Sequence, residues 1–373
     1  MRPIKTVLLI QFFHSFVSGV LGVVIPLIMK ERRIDIVIIG FVFAAMPLIM
    51  QLGRMFFATL SDFFGRRPFF MANGFLGAIS SLIYYFAHTP MEFLFGKVAE
   101  GTKEGAIWAV NRAYLLERSR GNWRLLVNLR TVVYVAFSIG SLVAGFLAAL
   151  ILYEGTMILC ALLGVSGFLL SFTLIDEKKG DFTVRQALSF LDFRKKGRGF
   201  KIFLFLFFTL GLAFGFRSGY VIPYFLSAVG FSAEDVGLIF GAMILMAGLS
   251  SYIFSKCHNV KRLILISGII YSAFLIPLGF SFPALAAALV VAVGFAEGMN
   301  SVGQEDVLSK ICDEESYGTD IGLLMMGLHL GESASLALSG LLIANWGFHV
   351  SFILAAAIYA VFYVGAFTLY GEK

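Results

Sequence analysis

A stretch of apolar sequence at residues 91–116 carries ionisable side chains that a membrane helix normally avoids. They are Lys97, Glu100, Lys103, Glu104 and Arg112. A charge at the centre of a bilayer costs about 2.5–3.5 kcal/mol on insertion scales, so each of these residues needs a physical reason to be there. Carboxylates that exchange protons, and bases that pair with them, provide the chemistry of proton coupling and of binding a charged solute.

Helical spacing places most of the polar side chains of this stretch on one face. At 100° per residue, the residues within an arc of about 80° are Lys97, Glu100, Glu104, Trp108 and Asn111. This pattern predicts a helix with one hydrated face, flanked by Lys103 and Arg112. An alternative remains open, in which Glu100 pairs with Lys103, or Glu104 with Lys97, only to stabilise the helix.

A second apolar stretch, at residues 283–308, repeats this arrangement. Its polar face consists of Glu297, Asn300, Ser301 and Gln304. Glu297 follows Glu100 by 197 positions, and each lies in an Ala-Glu-Gly triplet. Because Lys103 corresponds to Asn300, the two glutamates have no intrahelical partner in common. We therefore expect both to have a functional role.

The elements that hold these side chains are membrane helices. The 373-residue chain is 59% hydrophobic and 14% charged, with a mean hydropathy of +0.89, whereas soluble domains have about 25% charged residues. A crossing needs about 20 mostly apolar residues. Twelve such runs are found, at approximately 6–29, 35–58, 69–87, 91–116, 124–152, 156–175, 200–227, 233–255, 261–281, 283–308, 320–344 and 347–370.

The runs divide into two related sets of six. The longest connection, 176–199, separates them, and the segment Gly22–Pro26 matches Gly219–Pro223 at the same offset of 197. The sequence therefore predicts an all-α membrane protein with two pseudo-symmetric six-helix bundles, at 1–175 and 200–373. Parallel repeats with a site at their interface are typical of transporters. The linker at 181–193 is either an amphipathic helix on the inner leaflet or a solvated tether.

Basic residues indicate the orientation in the membrane. Twenty of the 29 lysines and arginines lie on the side of the N-terminus, three lie on the other side, and six lie inside the runs. The positive-inside rule then predicts a multi-pass protein of the cell membrane with both termini cytoplasmic. The net charge of +6 reflects this topology, so no nucleic-acid partner is expected. The first run is longer than a signal-peptide core and is expected to remain as a helix.

The connection between the second and third runs reads LSDFFGRRP, from Leu60 to Pro68. Gly65 permits a left-handed turn, and Pro68 suits the start of a helix. This segment resembles the signature loop of the major facilitator superfamily, Gly-x-Leu-x-Asp-Arg-x-Gly-Arg-Arg. It departs from that pattern at Ala58 and Phe63.

The resemblance implies a transporter that rocks between two states around a central cavity. It also implies a cytoplasmic gate, in which the acid and arginines of the loop engage the ends of helices 4 and 11. The gate residues would be Asp62, Gly65, Arg66, Arg67 and Glu117. In the alternative interpretation, Arg66 and Arg67 only set the orientation of the helices in the membrane. The resemblance also places around the cavity His14, Glu100, Lys103, Glu104, Trp108, Asn111, Tyr134, Arg217, Glu297, Asn300, Gln304, His329 and Glu332. Structural roles stay open for His14, as a donor to a carbonyl, and for Trp108 and Tyr134, as packing residues.

The function that these features predict is secondary active transport of a small polar, ionisable or amphipathic solute, coupled to protons. Alternatives are a multidrug or cation efflux pump, a facilitative uniporter and a non-transporting sensor. An enzyme is not expected, because a catalytic triad, a phosphate-binding glycine loop and metal-ligand spacing are all missing from the sequence. The expected partners are the solute, protons and membrane lipid. We expect a monomer without cofactor or metal.

Overall fold

The computed structural model describes residues 2–118, 124–175, 196–257, 259–312 and 317–369. These residues form twelve helices and no strand. The helices are α1 (Arg2–Glu31), α2 (Ile36–Phe64), α3 (Arg67–Phe86), α4 (Pro90–Arg118), α5 (Arg124–Ser171), α6 (Arg198–Gly215), α7 (Val221–Ala228), α8 (Ala233–Phe254), α9 (Val260–Leu278), α10 (Pro283–Ile311), α11 (Tyr317–Trp346) and α12 (Phe348–Leu369). The all-α prediction is confirmed.

Helix α5 comprises two membrane crossings. Its 48 residues would make a straight helix of about 70 Å, more than twice the thickness of the hydrocarbon core. Leu152, with φ 61° and ψ 172°, interrupts the helix and lets the chain reverse. Leu129, near the start of α5, and Leu174, three residues after its end, consequently pack in the same hydrophobic cluster. The two predicted runs at 124–152 and 156–175 are these two arms.

The seventh crossing is broken, in contrast to the single predicted run at 200–227. Helix α6 ends at Gly215 and α7 begins at Val221, and Gly219 between them has φ 59°. Ser351 of α12 donates a hydrogen bond of 2.6 Å to the carbonyl of Phe216, which the break leaves exposed to side-chain partners. From α8 onward, helix numbers and crossing numbers coincide.

Ten of the described helices are long and apolar enough to span a membrane by themselves. Counting both arms of α5 gives eleven crossings, and α4 is the twelfth. Helix α4 does not meet the hydropathy criterion because it carries the charged residues identified from the sequence. Four of these charged residues, Lys97, Glu100, Lys103 and Glu104, are nevertheless buried, so neighbouring helices rather than lipid surround them, and Arg112 is exposed.

Side-chain caps determine where several helices begin. Asp35 accepts a hydrogen bond of 2.7 Å from the backbone N–H of Val37 at the start of α2. Ser232 caps α8 and Asn259 caps α9 in the same way. Each cap satisfies a backbone donor that the first helical turn leaves unpaired. The connections that precede these three helices are short, from four to five residues.

The crossings pack as two bundles. In the first, α1 and α3 pack on α5, and α2 packs on α4; in the second, α6 packs on α11 and α12, and α8 and α9 pack on α10. The bundles meet where α2 contacts α11, α5 contacts α8, and α1 contacts α7. Small residues allow close approach, as where Gly101 and Gly105 of α4 lie against the backbone of α2.

The helix ends lie on two faces of the molecule. The terminal face holds the start of α1, the end of α12 and the connection between α2 and α3. The distal face holds the end of α1 and the break in α5. The predicted domain boundaries at 175 and 200 stay a prediction, and the predicted amphipathic segment at 181–193 lies outside the described residues.

Candidate functional site

A cavity of about 560 Å³ separates the two bundles on the terminal side. Helices α2, α4 and α5 of the first bundle and α11 of the second form its walls. Its lining includes Gln51, Arg54, Met55, Asp62, Trp108, Arg112, Leu126, Ile321 and Gly322. Asp62, at its mouth, is 59% exposed, so the cavity opens onto the terminal face.

On the distal side the bundles are in contact. Lys30 of α1 donates a hydrogen bond of 2.8 Å to Ser227 Oγ of α7. Ser333 of α11 donates to the carbonyl of Ala44 on α2 at 2.7 Å. The cavity therefore opens toward the terminal face, where Gln51–Gly322 and Arg130–Glu305 also join the bundles, and the distal face is closed at Lys30 and Ser227.

Four predicted site residues meet in one buried cluster of the first bundle. Glu104 Oε2 lies 2.9 Å from His14 Nε2 and accepts a 3.0 Å hydrogen bond from the indole of Trp108. Its other oxygen accepts from Ser18 Oγ at 2.7 Å. Lys103 Nζ lies 3.9 Å from the same carboxylate. Helices α1 and α4 are thus joined through a carboxylate that accepts from three donors.

The neighbours of His14 determine which of its nitrogens carries the proton. Asn73 Nδ2 lies 2.8 Å from His14 Nδ1 and donates at 3.1 Å to the backbone carbonyl of Lys103. The carbonyl oxygen of Lys103 can only accept a hydrogen bond, so the Asn73 side chain must turn its nitrogen toward it, and an amide nitrogen only donates. His14 Nδ1 must therefore accept, which places the proton of a neutral imidazole on Nε2, directed at Glu104.

Glu100 belongs to a separate cluster within the first bundle. Its Oε2 accepts from Lys97 Nζ at 2.8 Å and from the hydroxyl of Tyr84 on α3 at 2.7 Å. Lys97 Nζ also lies 4.2 Å from the centre of the Phe43 ring on α2. The side chain of Glu100 is buried, and its carboxylate points into the bundle rather than at lipid.

Glu297 has a comparable set of partners in the second bundle. Its Oε2 accepts from Arg217 at 2.5 Å and from the hydroxyl of Tyr271 at 3.3 Å. Arg217 is 2% exposed, and its Nε donates to Tyr359 at 3.2 Å. In both halves the glutamate thus accepts from one cation and one tyrosine. The cation differs in origin, because Arg217 comes from the break between α6 and α7.

The remaining predicted cavity residues are distributed over several helices. His329 Nδ1 lies 3.1 Å from Glu332 Oε2 on α11. Asn111 donates at 3.0 Å to Gln11 of α1. Tyr134 lies beside Arg130, whose Nη1 is 3.4 Å from Glu305 of α10. Asn300 is buried on α10, and Gln304 is half-buried on the same helix.

The predicted gate residues form an ion-pair network inside the first bundle. Helix α2 continues to Phe64, so Asp62 is helical and the true connection is only Gly65 and Arg66. Arg66 Nη2 lies 2.6 Å from Asp62 and 3.2 Å from Glu117 of α4, and Nη1 donates to Ser61. Arg67 stacks on the ring of Phe172. The network therefore ties α2 to the end of α4.

Sequence reasoning did not select Arg54 as a site residue, although it lines the cavity. A basic residue inside the apolar run 35–58 is the signal that identifies it. Asn73, Tyr271 and Tyr359 were also missed. Uncharged polar residues are common in membrane helices, so only their partners distinguish these three.

The family assignment follows from a model of the Major Facilitator Superfamily, which matches residues 7–257 and again 203–373. The chain belongs to the Major Facilitator Superfamily. Among curated proteins of this superfamily, the chain is similar to the uncharacterized MFS-type transporter MJ1560 of Methanocaldococcus jannaschii. The two are 21% identical over 311 residues, which cover 79% of this chain and 78% of that protein.

Solved structures of the superfamily confirm the two-bundle fold. The nucleoside transporter NupG superposes with a TM-score of 0.78 at 14% identity, covering 100% of both chains. A point mutant of NupG gives a TM-score of 0.80 at 14% identity, covering 98% of this chain and 99% of that one. At this identity the likeness shows the fold, and the solute of this chain has to be argued from its own residues.

Proposed function

We propose that this superfamily member is a secondary active transporter that moves a small polar, ionisable or amphipathic solute by alternating access, coupled to protons. The observation that carries the proposal is the cavity between the bundles, open on the terminal face while Lys30 and Ser227 close the distal face. A gap accessible from one side only is what one half of an alternating-access cycle requires.

The cluster around Glu104 supports proton coupling. Every group that contacts its carboxylate is a donor, namely His14 Nε2, the Trp108 indole and the Ser18 hydroxyl. A proton added to Oε2 would place a donor against the His14 and Trp108 donors, so one of those two contacts must break, whereas the Ser18 hydroxyl at Oε1 can turn and accept. A proton added to His14 Nδ1 would displace Asn73 in the same way. Proton binding is therefore tied to the packing of α1 and α3 on α4.

Trp108 connects this cluster with the solute. Its indole nitrogen donates to Glu104, and its side chain also lines the cavity. A change in the Glu104 cluster therefore alters the cavity wall, and a solute bound there alters the cluster. Reciprocal coupling of two ligands through a shared element is the thermodynamic requirement for cotransport or exchange.

The terminal face is cytoplasmic in this proposal, because it carries most of the basic residues of the loops. The structure then represents the inward-open state of a cell-membrane transporter. Arg66 engages Asp62 and Glu117 within the first bundle in this state. We expect the gate to engage the end of α11 when the terminal face closes.

The test is flux in proteoliposomes with an imposed pH gradient. The solute is chosen beforehand by a thermal-shift screen of the purified protein at several pH values, since a ligand that binds only the folded state stabilises it. Gradient-driven accumulation supports the proposal. Equilibration without accumulation identifies a uniporter, and binding without flux identifies a sensor. Unchanged flux in Glu100→Gln and Glu297→Gln variants would remove these two residues from the transport site.

A further inference from the structure

We propose that Arg54 and Arg112 form an anion-binding subsite in the cavity, and that the solute is an organic anion with an apolar body. This inference rests on the proposed transport function and specifies its substrate class. It is carried by two guanidinium groups that face one cavity, by the pairing of the nearby acids with other bases, and by the apolar remainder of the wall.

The two arginines reach the cavity from different helices. Arg54 lies on α2 and Arg112 on α4, and both line the space between the bundles. Arg54 is half-buried and Arg112 is exposed, and the charge of Arg112 acts on Arg54. Two like charges that line one cavity repel each other unless a counter-ion lies near them. An anion bound between them would relieve this repulsion.

Within the described part of the chain, neither guanidinium group has a hydrogen-bond or ion-pair partner. The acids that face this region are paired elsewhere. Asp62 lies 2.6 Å from Arg66. Glu305, the acid whose charge acts on Arg54, lies 3.4 Å from Arg130. The arginines of the cavity are therefore available to a ligand.

The rest of the wall determines the kind of anion. Met55, Ala109, Leu116, Leu126 and Ile321 form a mainly apolar lining, with the face of Trp108 among them. The cavity of about 560 Å³ lies within the range of about 300–1,000 Å³ typical of small-molecule sites. Guanidinium groups bind carboxylates and phosphates in a forked geometry. A carboxylate, phosphate or sulfonate on a small hydrocarbon or aromatic body fits this combination.

An anionic headgroup has two sources, a soluble solute and a phospholipid of the inner leaflet. Gln51 favours a soluble solute, since its Nε2 donates to the carbonyl of Gly322 and closes this part of the wall between α2 and α11. We assign the subsite to a soluble anion, and the second measurement below tests whether a phospholipid competes for it.

The first measurement reports the electrostatic potential at Trp108. In a variant with Trp123→Phe and Trp346→Phe, fluorescence comes from Trp108 alone, and quenching by iodide is compared with quenching by caesium and by neutral acrylamide. A potential of about 1 kT changes the local concentration of a monovalent ion about threefold. We expect iodide to quench at least about threefold more than caesium, and Arg54→Gln with Arg112→Gln to remove the difference while acrylamide quenching stays unchanged.

Controls separate the subsite from general charge effects. Arg262 lies exposed on the same face at the start of α9, so Arg262→Gln should leave the iodide-to-caesium ratio unaltered. Arg112 is itself exposed, and Arg112→Gln alone gives a well-folded variant if the double variant unfolds. Equal quenching by iodide and caesium in the parent protein would overturn the proposal.

The second measurement compares phenylacetate with the neutral phenylacetamide of the same shape, by thermal shift in neutral detergent. We expect stabilisation by phenylacetate at concentrations about tenfold lower, and loss of this preference in Arg54→Gln and Arg112→Gln. Arg54→Lys keeps the charge but not the fork, so it should retain the iodide effect and weaken phenylacetate binding. Equal stabilisation by the two compounds would overturn the proposal, and displacement of phenylacetate by phosphatidylglycerol would reassign the subsite to lipid.

Failure of this inference and failure of the proposed function give different results. A transporter of neutral or cationic solutes would still show pH-driven flux while preferring phenylacetamide. A sensor would prefer phenylacetate and show no flux.

Discussion

Lys30 and Ser227, which form a hydrogen bond of 2.8 Å across the distal face, are 197 positions apart in the chain. This separation is the offset that relates the two halves of the sequence, so the two residues occupy equivalent positions in the two bundles. Equivalent positions meet only near the axis that relates the repeats. The closed distal face is therefore held together at the pseudo-symmetry axis, where a small rotation of the bundles separates them.

Loss of this contact should open the distal face. A hydrogen bond from a charged donor contributes about 1.5–3 kcal/mol, so Lys30→Met should raise the distal-open population by about tenfold or more. The measurement is the distance between spin labels at positions 154 and 280, both exposed on the distal face. Ser227→Ala should have the same effect, and the double variant should add little. Additive effects would contradict a direct contact.

Substitution of Glu104 should uncouple the conformation from pH. With the same pair of spin labels, the parent protein should shift its distal-open fraction between pH 5 and 8.5. Glu104→Gln should leave the fraction constant, because a neutral amide cannot replace the carboxylate that accepts from His14, Trp108 and Ser18. Glu92→Gln is a matched control on α4, since the amide keeps an acceptor for the backbone N–H groups of His88 and Thr89. A pH response preserved in Glu104→Gln would place the proton elsewhere.

Breaking the Arg217–Glu297 pair should destabilise the second bundle. Removing one partner of a buried pair typically costs about 3–5 kcal/mol, because the other charge stays buried without compensation. Because Arg217 is 2% exposed, Glu297→Gln should lower the midpoint of thermal unfolding strongly, and Glu297→Gln combined with Arg217→Gln should recover part of the loss. Arg130→Gln is the comparison, because it breaks an exposed pair with Glu305 that is worth only about 0.2–1 kcal/mol. The midpoint of unfolding should therefore change little in this variant. A double variant no more stable than Glu297→Gln would show that Arg217 does not depend on the pair.

The turn at Gly65 should require glycine. Its φ of 87° and ψ of 172° lie in a region that costs other residues about 1–3 kcal/mol. Gly65→Ala should increase hydrogen exchange at the end of α2 and the start of α3. Gly197→Ala is the matched control, because the added methyl group meets no atom within 4 Å and the backbone is in an ordinary conformation. Equal exchange in both variants would contradict a conformational role for Gly65.

Much of the architecture was predictable from the sequence because its determinants are local. Apolar runs of about 20 residues are required by bilayer thickness, and a shared offset reveals the duplication. Positions such as Glu100 and Glu297 were identifiable because a charge in an apolar run is costly wherever the helix packs. The ion pair of Asp62 with Arg66 was predictable as well, since both residues lie on one short segment.

Tertiary structure alone decided which partners these charges have. Gly22–Pro26 lies inside the continuous α1, whereas the equivalent Gly219–Pro223 begins within the break between α6 and α7, where Arg217 is buried against Glu297. Glu100 instead pairs with Lys97 on its own helix, and Arg54 became part of a cavity because α2 faces both α4 and α11. Hydropathy and spacing describe one helix at a time. The partner of a buried charge depends on which helix lies next to it, and this is fixed only when the bundles pack.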